Sequence, residues 1–392
     1  MKELSTIIGK NFEALTSRYA SIIPNIEKLK QTMHQPLPQC FWFNPLKVSR
    51  SHFLNQMSAD GINLQPLGWC EDGFTTDRSS QLGLSWQYLV GLLQIQEEVS
   101  MLPVKVLNPT LDDSVLDMCA APGNKTAQIA IAMQNQGTLV ANDINYQRLK
   151  ALGQITKRLG IMNVNLCVSD AGELDFSEKR FSKILLDAPC SCEGTFRKKG
   201  SRVVVPRQSN SERMANIQMA LLKRAMKLAE PGAQIVYSTC TFAPEENEGV
   251  IDTVLKQSKG AVKVLPINLS CFNYESGLTQ WGGRQFSNEL EKTWRIWPHL
   301  NNTGGFYVAS LQKQGELKRS VVVPIELSVS EDILDFTAHL QSRFDFKDTV
   351  LEQYHYFSPS RRGIYATHRS NRGLLSTEWG NVKFDSVGLF FM

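Results

Sequence analysis

Between about residue 105 and residue 257, short apolar runs alternate with segments of helical spacing, and that alternation leaves few folds open. VLDM (115–118), TLVAND (138–143), VNLCVSD (164–170), KILLDAP (183–189) and AQIVYSTC (233–240) read as strands. KTAQIAIAMQ (125–134), YQRLKALGQITKRLG (146–160, ending at Gly160) and PEENEGVIDTVLKQ (244–257) read as helices. Between residues 211 and 232, Met214, Ile217, Leu221, Ala225 and Leu228 keep helical spacing, with a stop at Pro231-Gly232. Strands joined through helices run parallel, so the pattern predicts an α/β fold with a doubly wound, mainly parallel sheet. RIWPHLNNTGGFYVASLQK (295–313) reads as a turn and a closing strand. Such sheets bind ligands at the C-terminal ends of their strands.

At 392 residues the chain exceeds what one compact core usually holds, so additions are expected at both ends. Residues 1–35 look helical with a break at Pro24, CFWFNPLK (40–47) reads as a strand closed by a turn, and SRSHFLNQMSADG (49–61) as a helix capped by Ser49 or Ser51 and stopped at Gly61. These suggest a small α/β module over residues 1–104, a central domain over 105–315, and a small C-terminal module over 320–392. That last module opens on the acidic VVVPIELSVSEDILDF and carries short strands at GIYATH and VGLFFM. No stretch is long and apolar enough to span a bilayer, and the N-terminus lacks the apolar core of a signal peptide. The expectation is a cytoplasmic protein, off the membrane, monomeric, with its eight cysteines reduced.

Net charge is only +4, but two basic runs contain no acid: Arg197, Lys198, Lys199, Arg202 and Arg207, and then Arg361, Arg362, His368, Arg369 and Arg372. Most such runs are solvated surface. The first follows a suspected active-site motif, where it suits the phosphates of a polyanion.

DMCAAPGNKT (117–126) joins a strand to a helix through small residues. A nucleotide P-loop fits poorly, since that motif needs G-x-x-x-x-G-K-[ST], whereas Asn124 separates Gly123 from Lys125 and position 118 is Met. A ligand-free tight turn competes with a ligand-binding loop, and a lone terminal Asp is commonly a helix cap. Yet Asp117, Asp143, Asp170 and Asp187 stand at four successive strand ends. An acid after the second strand suits the ribose hydroxyls of a nucleoside cofactor.

Cys190 and Cys192 follow the fourth strand, and Cys240 the fifth. If those strands are neighbours, their ends lie only about 5 Å apart. A zinc site fits poorly, because C-x-C plus one distant Cys lacks paired C-x-x-C spacing and has no nearby His. Packing is the default for Cys40, Cys70, Cys119, Cys167 and Cys271, and Cys192 fits either reading. For Cys190 and Cys240 the competing reading is nucleophilic chemistry, aided by the positive charge of Lys125 and the first basic run.

DMCAAPGNKT, ANDINYQRL, LLDAPCSCEGT, YSTCTFAPEENEGVI and RIWPHLNNTGGFYVA together resemble the Nop/Sun family of S-adenosylmethionine-dependent RNA cytosine-5 methyltransferases. The resemblance runs from about residue 90 to about residue 313, and both the Pro-Cys and the Thr-Cys stand on the expected strands. It implies a Rossmann-like class I methyltransferase sheet with an antiparallel closing strand. It implies Cys240 as the nucleophile that attacks C6 of a cytosine, Cys190 as the thiol that assists release, and Asp187 on the cytosine edge with Lys125 orienting it. S-adenosylmethionine would lie along Cys119, Ala120, Ala121, Pro122, Gly123, Asn124 and Lys125. Asp143 and Arg148 would stand near its ribose side, Asp170 near its adenine, and Asp187 close by; no metal is implied.

The RNA partner is expected to be ribosomal, with transfer RNA second; the C-terminal module resembles PUA-like tails faintly. The family's Arg-x-Asn-x-Leu-Lys stretch appears as Trp42-Phe43-Asn44-Pro45-Leu46-Lys47. Trp42 therefore either stacks on a base or belongs to a core. A non-catalytic RNA-binding assembly factor and a methyltransferase for another acceptor, such as protein, are the alternatives.

Overall fold

The computed structural model describes residues 12–77, 81–177, 180–199, 208–316, 331–360, 363–371, 382 and 384–390. The central domain is entered through α1 (Glu98–Leu107), which crosses the boundary expected at 104/105, and runs β1 (Ser114–Asp117), α2 (Asn124–Ala132), β2 (Thr138–Asn142), α3 (Tyr146–Leu159), β3 (Val164–Cys167) and β4 (Phe181–Asp187). It continues through α4 (Gln208–Leu228), β5 (Ala229–Thr239), α5 (Glu248–Ser258), β6 (Trp294–Ile296) and β7 (Phe306–Lys313). Strand order is β6-β7-β5-β4-β1-β2-β3. β1 to β5 are parallel, and β7 runs antiparallel between β5 and β6. Every residue of β2 and β3 is buried, as expected where helices cover both faces. The strand order reverses at β1 and β4, which opens a crevice above their C-terminal ends.

The helices follow their sequence signals closely. α3 buries Leu149, Leu152, Thr156 and Leu159 on one face. Asn145 caps its start by accepting from the Arg148 N–H, and Gly160 closes it at φ 74°.

Two boundaries differ from expectation. α4 ends at Leu228, and Pro231-Gly232 lies inside β5 instead of terminating a helix. There β4 advances from Phe181 to Lys183 while β5 advances from Ala229 to Gln234. The surplus residues form a bulge, where a proline without an N–H and a glycine at φ 82° are accommodated. α5 begins at Glu248, not at Pro244. Glu246 and Asn247 are fully buried instead, and Asn247 ties the β5 exit by accepting from Thr239 and donating to the Thr241 carbonyl.

The N-terminal module has a four-stranded antiparallel sheet that includes Gln39–Phe43 and Cys70–Thr76. The helix Arg50–Ala59, capped by Ser49, packs on it through Phe41, Phe43, Phe53 and Phe74. Trp42 is 2% exposed and donates to Gln96 Oε1 at 2.8 Å, so it belongs to the core and stacks on no base. Asn44 donates to the Leu159 carbonyl at 3.0 Å and Lys47 to the Arg158 carbonyl at 2.8 Å. These side chains satisfy carbonyls that the end of α3 leaves open, which docks the module on the central domain. Ahead of it, helical residues 12–18 and the helix Ile26–Met33 flank Pro24; residues 1–11 lie outside the described residues.

The C-terminal segment has a helix (Glu331–Phe344) and a three-stranded sheet of Tyr354–Ser360, Gly363–His368 and Leu389–Phe390. Its strand Phe384–Val387 pairs with β3 and extends the central sheet. Residues 321–330 lie outside the described residues.

Candidate active site

One cavity of about 650 Å³ opens over the C-terminal ends of β1 to β5, and every site residue expected from the sequence lines it. Its first wall belongs to β1, β2 and β3. The loop after β1 is held by its backbone: Ala120 N–H donates to the Asn142 carbonyl at 2.8 Å, and Ala121 N–H to Asp143 Oδ2 at 3.1 Å. Gly123 stands at φ 113°, and a Cβ there would lie 2.6 Å from Leu152 Cγ, so glycine lets the loop meet α3. Asp143 also accepts from the Asn145 N–H at 2.9 Å and lies 3.6 Å from Arg148, which donates in turn to the Ala121 carbonyl. Asp170 is exposed at the rim and accepts from the Gly172 N–H at 2.8 Å.

Asp117 lies beneath this wall, 1% exposed. Thr126 Oγ1 donates to its Oδ2 at 2.7 Å, while its Oδ1 has no protein partner. Burial pushes the carboxyl up to about 7, partly offset by the Thr126 bond.

The facing wall belongs to β4, β5 and β7. Asp187 ends β4; its Oδ2 lies 2.7 Å from Lys125 Nζ, and its Oδ1 accepts from Ser238 Oγ at 2.7 Å. Burial alone would lower the Lys125 ammonium, but the Asp187 carboxylate more than offsets this, so the pKa stays above its ordinary value. Cys190 Sγ lies 3.5 Å from Cys240 Sγ and 3.9 Å from Cys192 Sγ. The Cys190 contact draws the Cys240 thiol down, while the Cys192 contact and burial push it up; the net position is above that of a free thiol. Cys190 is raised as well, by its contacts with Cys192 and Cys240 and then by burial. Cys240 thus faces the same cavity as Asp187 and Cys190.

Long-range contacts brace this second wall. Glu193, fully buried, accepts from Tyr19 OH at 3.0 and 2.8 Å, from Thr241 Oγ1 at 2.9 Å and from the Phe242 N–H at 3.2 Å. Gly194 N–H donates to the Cys240 carbonyl and Gly305 N–H to the Gly194 carbonyl; a Cβ on Gly194 would lie 2.2 Å from Gly305 O. Gln218 of α4 donates to the Pro189 carbonyl and to Glu246, and Glu246 accepts from the Ser191 N–H. Below them Arg295 and Glu248 form a buried two-point ion pair, with bonds of 2.6 and 2.5 Å.

Sequence reasoning missed Ser238, Glu193, Tyr19 and the Arg295–Glu248 pair. Ser238 was within reach, because parallel β4 and β5 set Asp187 opposite it. Tyr19 was not, since nothing local links it to Glu193. The packing reading holds for buried Cys40, Cys70 and Cys167. It fails for Cys271, exposed in a loop at φ 61°, and Cys119 is partly exposed on the cavity. In the first basic run Lys198 lines the cavity, but Arg197 is drawn onto the carbonyls of Gln35, Pro36 and Thr303 and onto Asn302, joining the helical hairpin to the β6–β7 turn. Arg202, Arg207, Arg361, Arg362 and Arg372 lie outside the described residues.

The reversed strand order, the antiparallel β7 and the crevice above β1 and β4 define a Rossmann-like methyltransferase fold. A solved methyltransferase homologue from Pyrococcus horikoshii superimposes with a TM-score of 0.69 at 32% identity, covering 79% of this chain and 99% of that one. Residues 104–312 match the family described as 16S rRNA methyltransferase RsmB/F, and residues 10–98 the N-terminal domain of 16S rRNA methyltransferase RsmF. Ribosomal RNA small subunit methyltransferase F of Aeromonas hydrophila is 34% identical over 94% of this chain and 78% of its own length. The chain belongs to the 16S rRNA methyltransferase RsmB/F family. It spans 59% of the length of the Shewanella loihica methyltransferase F, to which it is 36% identical over 74% of its own residues.

Proposed function

We propose that this chain transfers a methyl group from S-adenosylmethionine to C5 of a cytosine in RNA, with small-subunit ribosomal RNA as the substrate class. The observation that carries the reading is the meeting of Cys240, Cys190 and the Lys125–Asp187 pair in one cavity wall, opposite a loop suited to a nucleoside. The names of the related ribosomal RNA methyltransferases support ribosomal RNA over transfer RNA.

The first wall fits the cofactor. It offers the turn 119–123, carboxylates of two strand ends at Asp143 and Asp170, and the unpartnered buried Oδ1 of Asp117. S-adenosylmethionine supplies a methyl carbon made electrophilic by its sulfonium. The chain's own residues prepare the acceptor. Cys240, as thiolate, forms a bond from Sγ to C6 of cytosine, and the displaced electron pair makes C5 nucleophilic. Asp187 accepts from the cytosine edge, and the Lys125 ammonium balances the negative charge that grows on the ring. After C5 is methylated its proton passes to the Cys190 thiolate, C5=C6 re-forms, and the S–C6 bond breaks to return the Cys240 thiolate. Cys190, 3.5 Å away, assists that elimination. The target base must leave any stack to reach this depth, so unpaired or flipped RNA is required.

In this reading, residues 1–104 and the C-terminal residues 320–392 flank the catalytic domain (105–315) and carry RNA. The protein works as a cytoplasmic monomer. Among the described residues no helix is long and apolar enough to cross a membrane.

Cys240→Ala should abolish methyl transfer to ribosomal RNA, read by bisulfite sequencing; full activity in that variant overturns the reading. Cys190→Ala should leave enzyme trapped on RNA as a band that survives denaturation. Because the Cys240 thiol lies above its free value, kcat/KM should rise with pH from 7 toward 9; a flat profile removes the thiolate from the scheme. Methyl label in transfer RNA alone would redirect the substrate, and label in protein would end the RNA assignment.

A further inference from the structure

Cys192 has no part in the methyl-transfer scheme, yet its sulfur stands beside the two that do. The Sγ atoms of Cys190, Cys192 and Cys240 all lie within 4.8 Å of one another, with Cys190 at 3.9 Å from Cys192 and 3.5 Å from Cys240. A zinc–thiolate bond is about 2.3 Å, which places sulfurs around one tetrahedral zinc roughly 3.8 Å apart. The three sulfurs are therefore already near the spacing of a metal's ligand set, and a disulfide, at about 2.05 Å, is much farther from the observed geometry.

Two further observations bear on this cluster. Cys192 holds φ 60°, the left-handed region that most side chains avoid, and its thiol turns back to the Cys190 carbonyl at 3.3 Å. All three residues are partly exposed and line the cavity, which gives an ion a way in. Three thiolates and a dication carry a net single negative charge, and the Lys125 ammonium lies on the same cavity. The C-x-C spacing with one distant Cys hid this arrangement, because the third ligand arrives through the pairing of β4 with β5.

We propose that Cys190, Cys192 and Cys240 form a binding site for a thiophilic dication of the zinc class, and that binding takes the Cys240 nucleophile out of use. The ion forms three metal–sulfur bonds and the three thiols release three protons, so binding tightens as pH rises. The site itself does not depend on the methyl-transfer reading; the inhibition does.

The test uses the full chain, reduced and freed of metal under nitrogen. Co²⁺ should bind at one equivalent with thiolate-to-cobalt charge-transfer absorption, and Zn²⁺ should displace it. Cys192→Ser and Cys192→Gly should each weaken Zn²⁺ binding more than about tenfold, measured against a chromophoric chelator. Glycine suits the φ of this position, so Cys192→Gly should fold, and its own metal-free turnover is the reference against which its inhibition is read. Zn²⁺ at its dissociation constant should halve methyl transfer by the wild type, reversibly with chelator, and lower that of Cys192→Gly by less than about a tenth. The proposal is overturned if the wild type shows no charge-transfer band, if the Cys192 variants bind as tightly, or if Zn²⁺ inhibits Cys192→Gly equally. Should no preparation transfer methyl groups, the function proposed above fails, and the cobalt titration still decides the site.

Discussion

The cavity wall over β1, β2 and β3 takes its groups from residues 117–170. The facing wall draws on residues 187–194, on Cys240 and on Phe306, and is braced by Tyr19 from the N-terminal hairpin. In the first wall, backbone groups bond to side chains within one βαβαβ unit, as Ala121 does to Asp143. In the second, four distant segments must close together before Cys240 and Cys190 can meet. The proposed nucleoside pocket therefore needs only one βαβαβ unit, whereas the proposed thiol chemistry needs the whole domain. Damage far from the cavity should strike the chemistry while leaving cofactor affinity nearly intact.

The largest effect expected from this contrast is at Arg295. Arg295→Met leaves Glu248 buried and unpaired beneath the second wall, and should lower unfolding free energy by about 3–5 kcal/mol in denaturant titration. A loss below about 1 kcal/mol would break the claim that this wall rests on its buried ion pair. Next, Tyr19→Phe removes a hydroxyl that donates to a buried carboxylate, which should cost about 1.5–3 kcal/mol. Its signature should be lower kcat with S-adenosylmethionine affinity unchanged; an equal loss in both would erase the distinction between the walls.

Asp117 tests the first wall through pH. Its carboxyl is raised to about 7, so between about pH 4 and pH 7 the folded chain holds a proton that the unfolded chain has released. Stability must fall as pH rises through that window. Asp117→Asn has no such dependence, and should gain on the wild type by up to about 1.4 kcal/mol per pH unit over the window, seen as diverging melting curves. The smallest effect is at Arg148, whose side chain is 55% exposed. Arg148→Ala should cost less than about 1 kcal/mol in stability and weaken cofactor binding measured by calorimetry.

The same contrast governs what the sequence disclosed. β1, β2, β3 and the helices between them follow from apolar periodicity, and the end of α3 from Gly160, because those signals span only a few residues. The acids at the strand ends were equally plain. Cys240 reached the site on paper only through the assumption that β4 and β5 are neighbours. Where contacts reach across the chain, local reading failed. PEEN scans as the first turn of a helix, but Asn247 is drawn into bonds with Thr239 and Thr241. Pro231-Gly232 scans as a helix stop, but sits in a bulge set by the register with β4. Trp42 scans as a candidate base platform, but its indole N–H is satisfied by Gln96 within a core.

The strand Phe384–Val387 along β3 has a bearing on handling the protein. β3 is fully buried, and without that cover it would offer a row of free N–H and C=O groups to any passing chain. A version trimmed after the catalytic domain would thus keep its cavity and acquire an adhesive border, prone to self-association and precipitation on concentration. The tail serves the molecule as a hem as well as an appendage.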